Sequence, residues 1–267
     1  VELLLKYYSE REVLILLKDL VRHLQTGDQT TSQNEEVLKP LERIVRSIVD
    51  TSSDFGAMLT SDHFVNIMAV FKKERKADIC KPLLAQFGKT QQATSDIIII
   101  NTLFDLARDL HDSVDSLSEA GERRHISNLI CGFVESLDFG PALEQRLNVS
   151  VDCRGAFANL DSVKDRLVLG VARLAMRGHQ FMQGRHTKKT SAFVKACLAY
   201  CHITNPSVDD SLKRRHLLPL AGQGALPNQG LQQPDTFLKA AISLVPEVSA
   251  TLRLRLRLRL RLRLRLH

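Results

Sequence analysis

The sequence has 267 residues, of which 44% are hydrophobic and 25% are charged, as is ordinary for a globular protein. Its formal net charge of +7 would suit a nucleic-acid-binding protein, but seven of its 37 Lys and Arg residues lie in Leu252–His267. The other 30 basic residues equal the 30 acidic ones, so the globular part has no basic excess and we expect no nucleic-acid partner.

The cysteines are odd in number and lie within apolar patterns, which predicts buried, reduced thiols rather than a disulfide framework. They are Cys80, Cys131, Cys153, Cys197 and Cys201. No apolar run approaches the ~18–20 residues that a membrane-spanning helix needs, and no signal peptide is recognisable. The chain begins at Val1 inside an apolar run, which we interpret as the start of a fragment.

Helical periodicity starts near the N-terminus. Apolar residues recur every three or four positions in Leu3–Leu24, and a polar loop follows at Thr26–Asn34. The stripe from Val37 to Val49 predicts a second helix with Pro40 in its first turn. A third helix is expected to begin after a cap at Ser61 and to end near Phe71.

Two further helices precede the middle of the chain. The first covers Ile79–Phe87 and is kinked or begun at Pro82. The second starts at Ser95 or Asp96 and runs to Leu110, because the helical spacing continues well beyond its four isoleucines.

The clearest amphipathic pattern is Glu119–Gly140. Its buried stripe is expected to contain Ile126, Leu129, Ile130, Phe133, Val134 and Leu137. The opposite, solvent-facing side would carry Arg123, Arg124, Asn128 and Glu135. Ser118 is the predicted N-cap, and Gly140 with Pro141 is expected to end the helix and to start the next one.

Beyond this helix the pattern predicts a short helix, two long helices and a last helix. They are Pro141–Val151, Val163–Met182, Thr190–Ile203 and Asp235–Val245. An irregular connection is expected at Asp152–Asp161. From Asn205 onward, prolines are expected to break any long helix. These are Pro206, Pro219, Pro227 and Pro234.

About nine helices with short polar links, and no alternating strand pattern outside the last residues, predict an all-α protein. Non-identical helical periods favour a HEAT-like α-solenoid of antiparallel helix pairs over residues 1–251, irregular near residues 205–234. Because no strict internal repeat is visible, a compact bundle remains an alternative.

One candidate zinc site combines Cys197 and Cys201, four residues apart on one helix face, with His202, His179 and His186. The cysteines share the apolar stripe of their helix, and their spacing matches no familiar zinc finger. Buried thiols are therefore the favoured interpretation.

A second candidate is the row Asp105, Asp109 and Asp112 beside His111, which could serve acid–base or metal chemistry. Carboxylates on the wet face of an amphipathic helix are common, so a solvated surface is favoured. We predict no catalytic residue, cofactor or metal, and the sequence assigns no partner-contact residue.

Three charge clusters, Lys72–Lys76, Arg185–Lys189 and Lys213–His216, are expected at helix ends or links. They would stabilise helix C-termini or contact a partner or an anionic membrane, with solvated surface favoured. Gly222–Gly224 is too short for a phosphate loop. The glycosylation sequon Asn148–Ser150 would have no use in a cytosolic chain.

The final segment, Leu252–His267, alternates Leu and Arg and forms a low-complexity tail. As a strand it would place all leucines on one face and all arginines on the other. We interpret it as translated repeat DNA or a wrong exon outside the fold. A membrane- or RNA-binding function through this tail is an alternative, which its truncation would test.

Five stretches resemble one family, in the right order over roughly residues 50–248. They are residues 63–74, 105–117, 126–147, 188–204 and 237–248. The family is the large α-solenoid subunit of the Retriever endosomal recycling complex, a distant relative of the retromer large subunit. The prolines between Asn205 and Pro234 and the Leu/Arg tail depart from its pattern.

The resemblance implies a non-enzymatic scaffold, cytoplasmic and peripheral on endosomes, that helps return integral membrane proteins to the cell surface. It also implies an arrestin-fold partner near one end and a small metallophosphoesterase-fold partner toward the other. An assembly of coiled-coil and COMM-domain proteins and a sorting-nexin adaptor would complete the complex. A generic HEAT-like adaptor or transport solenoid with another cargo is the alternative.

Overall fold

The computed structural model describes residues 35–51, 55–90, 93–114, 118–181, 187–225 and 232–243, with six single positions nearer the N-terminus. In these ranges it contains eleven α-helices, one 3-10 turn and no β-strand, so the all-α class is confirmed. The predicted helix Leu3–Leu24 lies outside the ranges except at those six positions, which are helical. The Leu/Arg tail lies outside the described residues altogether.

The chain divides into two compact units, Val1–Gly140 and Pro141–His267. The described helices of the first are α1 (Glu35–Thr51), α2 (Phe55–Leu59), α3 (Asp62–Val70), α4 (Lys73–Thr90), α5 (Ile97–Asp112) and α6 (Ala120–Ser136). Those of the second are α7 (Leu143–Ala156), α8 (Asp161–Phe181), α9 (Lys188–Thr204), α10 (Ser211–Ala225) and α11 (Gln232–Ser243).

The first unit is built around α4, which packs against α1, α5 and α6. The sequence predicted a helix kinked or begun at Pro82, and of these two alternatives the start at Pro82 is wrong. One helix begins at Lys73 and continues through Pro82. A proline inside a helix costs about 3 kcal/mol, but the neighbouring Ile79 and Leu83 are fully buried, and their burial offsets that cost.

Two hydrogen bonds tie the segment before α5 to the end of α6. The Thr94 amide donates to the Ser136 carbonyl at 3.0 Å, and the Asp138 amide donates to the Thr94 carbonyl at 3.1 Å. Asp96 caps α5 as predicted, because its Oδ1 accepts a hydrogen bond from the Ile98 amide at 2.8 Å. Ser61 occupies the predicted cap position of α3, but its side chain makes no capping hydrogen bond.

The predicted stripe of α6 is buried except at Leu129, which is half-buried. The predicted wet face is exposed throughout. The N-cap is Glu119 rather than Ser118, and it makes no side-chain capping bond. After the helix, Gly140 adopts a φ of 53°, a left-handed conformation that favours glycine, so the predicted break before the next helix is confirmed.

The second unit is built around α8, which packs against α7, α9 and α10. Its predicted helices are present with shifted ends, and α7 extends to Ala156 into the segment expected to be irregular. The expected irregularity near residues 205–234 is wrong for α10, which runs through Pro219. Burial of Leu217, Leu218 and Ala221 beside this proline accounts for the helix.

In both units, most packed helices are neighbours or near neighbours along the chain. Such local pairing is how a helical solenoid section buries its apolar stripes. Among the described residues, no helix combines the length and the apolarity needed to cross a membrane.

Candidate functional site

The two cysteines of the candidate zinc site point into the core beneath α9. Cys197 and Cys201 are 0% and 1% exposed, and the Cys201 thiol donates to the Val168 carbonyl at 3.7 Å. Burial raises the pKa of both thiols to about 12, so they remain protonated near neutral pH. The interpretation as buried thiols is confirmed.

The histidines do not join these cysteines. The His202 ring is exposed and packs edge-on against Phe237, with ring centroids 5.8 Å apart. The side chains of His179 and His186 lie outside the described residues. Within the part of the chain that the structure describes, no three His, Cys, Asp or Glu side chains are grouped as metal ligands would be.

The polar side chains near these cysteines make contacts between helices. The Tyr200 hydroxyl, also on α9, donates to the Ser150 carbonyl of α7 at 3.0 Å in a buried position. The guanidinium of Arg154 lies 5.9 Å from the centroid of the Tyr200 ring, a cation–π contact. Burial raises the pKa of this hydroxyl, which therefore stays a donor. Sequence reasoning missed Tyr200, because one tyrosine in an apolar stripe gives no signal of its partner.

A buried lysine was also missed. Lys164 on α8 is 7% exposed and pairs with Asp161 one turn earlier, with 2.6 Å between Nζ and Oδ1. Its ammonium also donates to the Ser207 carbonyl in the 3-10 turn that follows α9. The i, i+3 spacing of Asp161 and Lys164 was visible in the sequence, but the contact with the turn was not.

The acidic row lies on α5, but its members have separate roles. Asp109 forms an ion pair with Lys76 of α4. Asp112 lies beside His111, with 3.0 Å between Oδ1 and Nδ1. Asp105 is exposed, and no described side chain pairs with it. Two of the three carboxylates of the row are therefore engaged by neighbouring side chains.

The described residues of the charge clusters lie at the starts of helices, so the alternative that they stabilise helix C-termini is wrong, while the favoured interpretation was a solvated surface. Lys72–Lys76 opens α4, Lys188 and Lys189 open α9, and Lys213–His216 lies in the first turns of α10. One lysine of each cluster forms an ion pair with a carboxylate of a neighbouring helix. The pairs are Lys76 with Asp109, Lys189 with Glu144 at 3.5 Å, and Lys213 with Asp165 at 3.5 Å.

These ion pairs join helices that are separate in sequence. At such partly exposed sites each pair contributes about 0–1 kcal/mol. Their contribution to the stability of the fold is therefore small. The positive end of each helix dipole lies beside these clusters, so the remaining cations gain nothing from it.

The two remaining motifs, the glycosylation sequon and the Gly222–Gly224 segment, lie within helices. Asn148–Ser150 lies within α7, where the buried Ser150 hydroxyl donates to the Arg146 carbonyl at 2.8 Å. Gly222–Gly224 lies within α10, which is not the geometry of a phosphate-binding loop.

The described residues include two grooves that are open to solvent. One, of about 360 Å³, lies between α3 and α5 in the first unit, where Val65 and Ala69 face the acidic row. The other, of about 530 Å³, lies in the second unit near the starts of α7 and α9, with Leu143 and Phe193 in its lining. The described residues thus present surfaces for binding, and one of these grooves contains the acidic row of α5.

Comparison with known proteins identifies the family. The family described as VPS35L C-terminal domain matches residues 1–260. The human protein named VPS35 endosomal protein-sorting factor-like is 40% identical over 250 residues, which cover 93% of this chain and 26% of the human protein. Relatives with equivalent names in Dictyostelium discoideum and Drosophila melanogaster are 37% and 34% identical, over 94% and 92% of this chain and 25% of each relative.

The chain spans about a quarter of the length of the curated relatives it matches. The match covers both compact units and includes the stretches that carried the resemblance, which is therefore confirmed. This chain belongs to the VPS35L C-terminal domain family.

Proposed function

We propose that this chain is a section of a non-enzymatic scaffold subunit in an endosomal complex that sorts membrane proteins. The single observation that carries the proposal is the match along nearly the whole chain to relatives named as endosomal protein-sorting factor-like, from human to Dictyostelium discoideum. At 37–40% identity over about 250 residues, we infer that the relatives share the helical fold of this chain and its role as a scaffold.

The chemistry of the side chains supports a role in binding. Cys197, Cys201 and Tyr200 contribute to packing, and one lysine of each charge cluster pairs with a carboxylate on a neighbouring helix. Helical arrays of this kind act by offering long surfaces on which other proteins dock. In this proposal the chain works through shape and surface.

The resemblance also supports a set of partners. We propose an arrestin-fold subunit and a metallophosphoesterase-fold subunit as the other Retriever components, joined to a coiled-coil and COMM-domain assembly and to a sorting-nexin adaptor. The resulting complex would lie on the cytoplasmic side of endosomes as a peripheral assembly. Its task would be the return of integral membrane proteins from endosomes to the plasma membrane.

Affinity purification from cells tests this proposal. The tagged full chain and a version ending at Thr251, before the Leu/Arg tail, would be expressed, and their co-purifying proteins identified by mass spectrometry. The tail fused to an unrelated carrier is the matched control, because an alternating Leu/Arg segment would bind many proteins indiscriminately.

We expect Retriever and COMM-domain subunits with both versions of the chain and not with the tail alone. Their absence from both versions, with circular dichroism showing that the chain is helical, would contradict the proposed assembly. Recovery of a different, reproducible set of proteins would instead favour a HEAT-like adaptor with another cargo.

A further inference from the structure

The groove between α3 and α5 has two chemically different walls. On α3, Val65 is 49% exposed and Ala69 is exposed beside it, so this wall offers an aliphatic surface to solvent. On α5, Asp105, Asp109 and Asp112 form the other wall. The buried Met68 and Leu106 lie between the walls at the base of the groove.

Some of the charged side chains that line the groove have a described partner, and others have none. Five charged side chains line it, namely Lys76, Asp105, Arg108, Asp109 and Asp112. Lys76 is engaged by Asp109, and Asp112 lies beside the His111 ring, which leaves Asp105 and Arg108 as the charged side chains of the groove without a described partner. Because no described side chain pairs with Asp105, this carboxylate can accept hydrogen bonds from a cation supplied by another molecule.

The size of the groove limits what can enter it. Asp105 and Asp112 are seven residues apart on a helix, so the acidic row is about 10 Å long. A volume of about 360 Å³ lies at the small end of the range of pockets that hold a ligand. The groove can therefore receive two or three side chains of a docking segment, while the rest of that segment remains at the rim.

We propose that this groove binds a segment of a partner protein that carries an aliphatic side chain one helical turn from an arginine. The aliphatic side chain packs against Val65, Ala69 and Met68, where it is removed from water. The guanidinium pairs with Asp105, which it can contact through two parallel hydrogen bonds. Arg108, one helical turn along α5, repels a cation placed beside it, which favours a register in which the guanidinium lies at Asp105.

The proposal rests on the proposed scaffold function, because it names one docking surface of that scaffold. Its experiment is nevertheless separate, since it measures binding of a synthetic peptide and not assembly of a complex. Failure of the peptide to bind would remove this groove from the scaffold's surfaces and leave the co-purification result unaffected.

Methyl NMR of the full chain provides a local readout. The chain has four methionines, and Met68 lines the groove while Met58 is buried in α2, so selective 13C labelling gives one reporter and one reference. The probe is a short helical peptide of Ala and Gln that contains one Leu and one Arg four residues apart. A second peptide has Glu in place of Arg, and a third has Ser in place of Leu.

We expect a saturable shift of the Met68 methyl signal with the Leu/Arg peptide and no shift of the Met58 signal. Each altered peptide should bind at least about tenfold more weakly, since either the ion pair or the apolar contact is lost. No shift of the Met68 signal up to about 1 mM peptide would overturn the proposal, as would equal binding of the Arg and Glu peptides.

Charge exchange identifies the carboxylate. D105R should abolish the shift caused by the Leu/Arg peptide and allow the Leu/Glu peptide to bind. D152R is the matched control, because Asp152 is also an exposed helical carboxylate without a described partner but lies outside the groove. If both variants weakened binding equally, the peptide would be responding to net charge and the proposal would be wrong. Circular dichroism would verify that both variants are folded.

Discussion

Truncation of two residues on α6 tests the burial pattern of this helix directly. Phe133 is 1% exposed, whereas Leu129, four residues earlier and in the same predicted stripe, is only half-buried. Removing a fully buried Phe side chain costs about 3–5 kcal/mol through lost burial and the cavity that remains. For Leu129→Ala about half the usual range applies, roughly 1–2 kcal/mol, because part of that side chain already contacts water.

Urea unfolding of the full chain, followed by circular dichroism, measures both effects. Because the two compact units need not unfold together, the curves are fitted with two transitions, and both substitutions should shift the same one. Phe133→Ala should lower its midpoint by at least about 1 M. Asn128→Ala, on the exposed face, should change the free energy of unfolding by less than about 0.5 kcal/mol. Equal destabilisation by Phe133→Ala and Leu129→Ala would refute the structural distinction between these positions.

Three other predictions concern thiols and glycines. Cys201 and three other buried thiols have a pKa of about 12 in the fold against an ordinary 9.0, so the folded state holds more protons between these values. Stability should therefore fall as pH rises from 9.0 toward 12, measured by urea unfolding; a rise would contradict the burial of these thiols. Gly178→Ala should destabilise the chain by about 1–3 kcal/mol, because the added Cβ would lie 3.1 Å from the Phe193 ring. Gly170→Ala in the same helix should instead stabilise it by about 0.5–1 kcal/mol, and equal effects on the thermal midpoint would be inconsistent with this difference. Gly140→Ala should cost about 1–2 kcal/mol in urea unfolding, through its left-handed backbone alone, and no loss would argue against that conformation.

Local sequence signals predicted most helices correctly because they depend on neighbours along the chain. The Asp96 cap and the buried stripe of α6 are set by residues within a few turns of each other. Three prolines were placed wrongly for the opposite reason, because Pro40, Pro82 and Pro219 all lie inside helices, beyond the first turn. Whether Pro82 or Pro219 breaks a helix depends on how much apolar surface the flanking residues bury against other helices, and those helices are distant in sequence.

The candidate site could be predicted from the sequence only in part, for the same reason. The acidic row was recognised from its spacing on one helix, and its exposed member Asp105 was correctly predicted to be solvated. The aliphatic wall that turns this row into a groove comes from Val65 on α3, some forty residues earlier in the chain. A periodic pattern identifies the face of a helix, but it does not identify the helix that lies opposite.

The two hydrogen bonds of Thr94 have a consequence for local motion. They close the chain between residues 94 and 138 into a loop that contains the whole of α5 and α6. The closing contact is made by backbone groups, so substitution of the side chain at position 94 leaves it available. Opening of this pair of helices should then occur as one event, with the amides of Thr94 and Asp138 losing protection from hydrogen exchange together. Fraying at the start of α5 and at the end of α6 would be suppressed, because the Thr94 hydrogen bonds hold these two helix ends together.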